Sequence, residues 1–134
     1  MAQTTDLTLL DSAARTATTS SAEFAWEDAK AMMVVNVTAV SATPTITPSL
    51  EAYDATSTSW VTIFTAASAQ SPTGAATYVY ILTDTAFTPT GGSLTESKQV
   101  YLAPRMRLKI THADADSCTY SVGFNRVNSN NLGL

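Results

Sequence analysis

Apolar residues in this chain recur at every second position, and no segment of helical length carries a clear 3.6-residue period. That alternation is the signature of strands with one buried face. Met33, Val35, Val37 and Ala39 alternate with Met32, Val34, Asn36 and Thr38, which predicts a well-buried strand. Met106, Leu108 and Ile110 alternate with Arg105, Arg107, Lys109 and Thr111. Cys118, Tyr120, Val122 and Phe124 alternate with Thr119, Ser121, Gly123 and Asn125. Ile46, Leu50 and Ala52 follow the same rule, but Pro48 interrupts the run and predicts an edge strand or a bulge. A turn, DATSTS, joins that run to Trp60–Thr65 as a hairpin. Tyr78–Thr83 is apolar on both faces and predicts a central strand.

Between these runs lie turn and loop chemistries: AASAQSPTGAA, TPTGGS and ADAD. Short strands are expected near Lys98–Leu102 and over Arg15–Ser20. Ser20–Lys30 is the best helical candidate, with Ser21 as a cap and Glu23 near its positive end. It is short, and reads as a loop or a single turn with Phe24 and Trp26 as buried plugs. The count is about eight short strands. This predicts an all-β antiparallel sandwich, a jelly roll or a small barrel. One domain spans residues 1–134, with a flexible N-terminal arm over about 1–14 and a polar C-terminal tail over about 128–134.

Charge narrows the function classes. Only 13% of the 134 residues are charged, about half the usual share. Thr, Ser and Ala fill the gap, giving a polar but uncharged surface suited to lying against other protein. The formal net charge of −4 argues against nucleic acid as a partner, since phosphate neutralisation needs clustered cations. It argues equally against an anionic membrane surface. Cys118 is the single cysteine, so no internal disulfide forms, and assembly in a reducing compartment is expected. The N-terminus lacks a basic segment followed by a long apolar run, which points away from export.

Few residues suggest chemistry. His112, the only histidine, could act as a base with Asp114 or Asp116 beside it, but no serine stands in a nucleophile setting. A surface histidine beside a turn is the expected reading. Asp114 and Asp116 have a spacing seen in calcium loops, yet the rest of the EF-hand pattern is missing, and Asp is a common turn residue. Cys118 falls on an apolar strand face and reads as core. No phosphate loop, CxxC or HExxH motif is present, so no cofactor and no metal are implied, and the chain is not expected to be an enzyme.

Two features suggest binding. Arg105, Arg107 and Lys109 form a basic stripe in an acidic chain. It is either a docking face for an acidic partner or a solvated strand face that opposes edge-to-edge pairing. Tyr53, Trp60, Tyr78 and Tyr80 could form a sugar-stacking platform, with Tyr53 and Trp60 the best pair, although packing is the commoner role of such rings.

Two stretches also carry a family resemblance. LEAYDATSTSWVTIFTAA has the form apolar, x, apolar, x, Asp, turn, Trp, x, x, apolar. LAPRMRLKITHADADSCTYSVGF has a Leu-Pro-type turn, Arg, x, Arg, alternating apolar residues, a turn and Tyr-Ser-apolar-Gly. Together, over roughly residues 30–127, they resemble small β-sandwich virion structural proteins of tailed bacteriophages. That family resemblance implies a capsid decoration (cement) protein, or a neck or tail accessory protein. Decoration proteins of this kind commonly act as homotrimers, bind the major capsid protein or another virion protein, and are assembled in the host bacterial cytoplasm. It implies no catalytic residues. Expected contact elements are the arm Ala2–Arg15, the basic stripe and the tail. A carbohydrate-binding module is the alternative from another class, and a hydrolase using His112 a third.

Overall fold

The computed structural model describes residues 4–26, 30–83, 94–101 and 103–127. The expected C-terminal tail, the TPTGGS loop and the side chain of Trp26 lie outside the described residues. The chain is all-β, a sandwich of two sheets. Ten strands are described: β1 (Thr4–Arg15), β2 (Thr19–Ser20), β3 (Phe24–Trp26), β4 (Lys30–Val40), β5 (Ile46–Asp54), β6 (Ser59–Thr65), β7 (Ala76–Thr83), β8 (Glu96–Gln99), β9 (Ala103–His112) and β10 (Cys118–Val127). One sheet, here sheet A, has the order β1-β10-β4-β7-β8. The other, sheet B, has the order β2-β9-β5-β6, with β3 also paired to β9. All pairings are antiparallel except β7 with β8. That parallel pair is joined through residues 84–95, long enough for a crossover.

The alternation in the sequence sets which residues meet between the sheets. Met33, Val35, Tyr120, Val122 and Phe124 of sheet A are fully buried against Leu50, Met106, Leu108 and Ile110 of sheet B. Aromatic pairs span the gap. Phe24 lies 5.1 Å from Phe124, and Phe64 packs edge-on to Tyr80 at 6.2 Å. Each such side chain contributes on the order of 1.5–3 kcal/mol through its removal from water.

Several expectations are corrected. The N-terminal arm is not a loose segment: Thr4–Arg15 is the longest strand, paired along β10, with Leu9 and Leu10 both buried. Two register shifts allow these adjacent leucines to reach the core together, which strict alternation forbids. Their pairing hid the strand from a reading based on period two. Residues 24–26 form a strand on β9 rather than a turn, and Phe24 is buried as expected. Arg15–Ser20 is not one strand, because Arg15 ends β1 in sheet A while Thr19 and Ser20 pair with β9 in sheet B.

Pro48 sits in a strand flanked on both sides, not at an edge. Its carbonyl accepts from Ala66 N, just past the end of β6. An extended residue directs its N and O to the same side, so the missing N–H falls where β6 has already ended. The expected bulge is present nearby, as a register shift between Leu50 and Glu51 opposite β6.

Because β1 closes the core, Leu10→Ala should lower unfolding stability by about 3 kcal/mol. Deleting residues 1–14 should cost more than that, rather than leaving a folded domain. Urea denaturation followed by tryptophan fluorescence measures both. A truncated chain as stable as the full one would refute a structural role for β1.

Candidate functional site

The alternation of β9 places Arg105, Arg107 and Lys109 on the outer face of sheet B, opposite the buried Met106, Leu108 and Ile110. β9 pairs with β5 on one side and with β2 and β3 on the other. The stripe therefore crosses the middle of the sheet. It does not guard an edge, which removes the edge-protection reading.

Neighbouring strands build a cluster around it. Arg107 stands directly opposite Glu51, and its Nε donates to Glu51 Oε1 at 2.6 Å. The Glu51 side chain is only 7% exposed and that of Arg107 30%, so this ion pair is largely withdrawn from water. Arg105 makes a forked contact with Glu23, Nε to Oε1 at 2.5 Å and Nη2 to Oε2 at 3.2 Å. That fork holds the Glu23 carboxyl below its ordinary range.

Two rings complete the cluster. Tyr53 and Trp60 are cross-strand partners on β5 and β6, packed edge-on with centroids 5.3 Å apart. The guanidinium of Arg105 lies 3.9 Å over the Tyr53 ring, and that of Arg107 lies 4.5 Å over Trp60. Stacking and ion pairing together fix both arginines. Lys109 continues the stripe, with the Ser49 hydroxyl donating to its carbonyl at 3.1 Å. No carboxylate is paired with its ammonium among the described residues.

The turn between β5 and β6 keeps the rings in register. Asp54 accepts from the amides of Thr56 and Ser57 and from the Ser57 hydroxyl, and these bonds pull its pKa down. Thr58 completes the turn in the left-handed region, at φ 52°.

The sequence thus identified Arg105, Arg107, Lys109, Tyr53 and Trp60, and the fold brings all five onto one face. What sequence reasoning missed is Glu23 and Glu51. Glu51 was visible as the outward residue of a strand, but only the β5–β9 register puts it beside Arg107. The stripe consequently carries less uncompensated charge than its sequence suggests. The sugar platform is also altered. Each ring of the Tyr53–Trp60 pair has one face under a guanidinium, and Tyr80 is wholly buried.

His112 ends β9, as its place in the alternation implies, but it is half-buried rather than a surface residue. Its Nε2 lies 2.8 Å from the Tyr120 hydroxyl. Arg15 stacks over the same tyrosine ring at 4.7 Å and donates to the Tyr120 carbonyl at 2.7 Å. Burial pushes the Tyr120 phenol up to about 12. No triad is assembled among the described residues. Asp114 Oδ1 accepts from Asp116 N, and Asp116 Oδ2 accepts from Thr43 N, so both carboxylates serve the turn and its neighbour. Burial also pushes the Cys118 thiol up, away from a reactive thiolate. Among the described residues no three His, Cys, Asp or Glu side chains converge on a metal-sized site.

No family model, curated protein or solved structure matches the chain.

Two predictions come from this geometry. Arg107→Ala strands a buried carboxylate and should cost about 2–3 kcal/mol, with partial exposure trimming the full penalty of a broken buried pair. Arg105→Ala, at an exposed pair, should leave the urea midpoint nearly unchanged; equal losses would contradict the difference in burial.

The second concerns pH. Burial lowers the His112 pKa below 6.5, with Arg15 adding to the shift and Asp114 opposing it. The unfolded chain then binds a proton at a pH where the folded chain does not. Stability is full above pH 6.5 and falls as pH drops toward the lower folded value. His112→Gln should flatten that fall in denaturation midpoints recorded from pH 7.5 to 5, and an unchanged slope would show that other groups set it.

Proposed function

We propose that this chain is a virion structural protein of a tailed phage, a head-decoration protein that grips the major capsid protein with the outer face of sheet B. The observation that supports it best is the convergence of Arg105, Arg107, Lys109, Tyr53 and Trp60 on that one face. Arg, Tyr and Trp are the side chains that most often dominate protein interfaces. Here ion pairs and stacking hold them in place beforehand, which reduces the entropy lost when a partner docks. Lys109 adds an uncompensated positive charge, suited to an acidic patch on the partner.

The resemblance supports the same reading through its placement. LEAYDATSTSWVTIFTAA coincides with the β5–β6 hairpin, which carries both rings. LAPRMRLKITHADADSCTYSVGF coincides with β9, which carries the stripe, and the start of β10. The two resembling stretches therefore build the proposed docking face between them. Grip would come from many copies acting on one shell, each making a modest contact.

Co-sedimentation with expanded, undecorated heads, assembled from the capsid protein encoded alongside this chain, tests the proposal. The wild-type chain should pellet with the heads, and Lys109→Glu should bind at least about tenfold more weakly, through like-charge repulsion. Undiminished binding by the variant would remove the stripe from the interface. No binding by the wild-type chain would exclude decoration and leave the neck or tail role to be examined.

A further inference from the structure

Arg105 and Arg107 use their donors differently. A guanidinium presents two donor edges, one between Nε and Nη2 and one between Nη1 and Nη2. Arg105 gives Nε and Nη2 to the two oxygens of Glu23. Arg107 gives only Nε, to Glu51 Oε1 at 2.6 Å. Among the described residues both of its terminal amino groups are left without an acceptor, on a side chain that is 30% exposed. Yet the guanidinium is held in place. It lies 4.5 Å over the Trp60 ring and is anchored on a carboxylate that is itself buried.

Lys109 stands beside it. It is two residues further along β9 on the same face, a separation of about 6.7 Å at ordinary strand rise. Its cross-strand neighbours are Ser20 on β2 and Ser49 on β5, both uncharged. Among the described residues no carboxylate reaches its ammonium. Arg105, Arg107 and Lys109 meet only Glu23 and Glu51 there, so one positive charge is left over, on the Arg107–Lys109 side. A fixed donor edge without an acceptor and a charge without a counter-charge thus lie side by side.

We propose that the Nη1–Nη2 edge of Arg107 and the Lys109 ammonium together bind one carboxylate, supplied by an aspartate or glutamate side chain of the protein that docks on sheet B. The inference rests on that docking reading for the source of the carboxylate, and on this geometry for its chemistry. A carboxylate accepts bonds of about 2.8 Å on each of its two oxygens, so a single group spans both residues. Arg107 supplies a planar, oriented edge and Lys109 a rotatable donor, which together fix the direction of approach. Charge decides the class of anion. One negative charge makes the face neutral, whereas a phosphate monoester, at about −1.5 to −2, overshoots. Nucleic-acid phosphates come in rows that a chain at −4 repels.

Proton–nitrogen NMR of the full chain, titrated with sodium acetate against sodium chloride at constant ionic strength and slightly below neutral pH, tests this. Acetate carries the proposed group and needs no partner. The Arg107 Nε–H and Trp60 indole signals should shift saturably. Lys109→Met should weaken acetate at least about fivefold, as should Arg107→Lys, which keeps a charge for Glu51 but loses the two-nitrogen edge. Lys109→Met breaks no ion pair among the described residues, so it carries the test alone if circular dichroism shows Arg107→Lys unfolded. Lys98→Met, which removes the same charge from an exposed position on β8, should stay within about twofold of wild type. Shifts that never saturate overturn the site, as do equal losses in Lys109→Met and Lys98→Met, because net charge alone would then attract the anion. A chain that binds heads but not acetate overturns the carboxylate site and keeps the docking. A chain that binds acetate but not heads keeps the site and overturns only the docking.

Discussion

The apolar layer between the sheets is the interaction on which every other feature depends. Cys118 is the only cysteine, so no disulfide ties the two sheets together. Their relative position is fixed by packing alone: Met33, Val35, Tyr120, Val122 and Phe124 on one side, Leu50, Met106, Leu108 and Ile110 on the other. Interior packing at near-crystalline density leaves little freedom for one sheet to slide over the other. The aromatic contacts Phe24–Phe124 and Phe64–Tyr80 add directional preference to that layer. Once it is set, the period of two dictates what faces outward. Arg105, Arg107 and Lys109 emerge on sheet B for the same reason that Met106, Leu108 and Ile110 are buried.

The two outer faces then diverge. Sheet B carries charge, but most of it is internally matched, through Arg105 with Glu23 and Arg107 with Glu51. Stacking on Tyr53 and Trp60 further restrains the guanidinium groups. The result is a rigid polar and aromatic surface on which, among the described residues, the Lys109 ammonium is paired with no carboxylate. Sheet A has an apolar block of Met32, Val34, Val79 and Ile81 on its outer face, with Asp6, Asp11 and Lys30 towards its margins among the described residues. A surface of the first kind discriminates partners through geometry and charge. A surface of the second kind gains from simple removal of apolar area from water. The two are separated by the thickness of the sandwich, so contact on one does not obstruct the other.

The end of the sandwich near His112 has a different role. Arg15, Tyr120 and His112 join the last residue of β1, the turn-proximal start of β10 and the last residue of β9. This links the two sheets by polar contacts where the apolar layer runs out. The histidine is held by a phenol that stays protonated, which ties the ends of β9 and β10 together at this seam.

The sequence by itself determined the fold class, the inward set of β4, β9 and β10, the hairpin of β5 with β6, and the five residues of the sheet B cluster. Each of these is a local property, because side-chain direction along a strand follows from spacing alone. It did not reveal β1, since Leu9 and Leu10 reach the core through bulges that break the period. Nor did it reveal that Pro48 could stand between two strands, which depends on where β6 stops. The tertiary structure alone decided which strands are neighbours. That choice converted a basic stripe into a matched cluster by bringing Glu51 and Glu23 to it, and placed Gly123 beside Val34. Cross-strand register joins residues tens of positions apart, and it is set by packing of the whole core rather than by any local pattern.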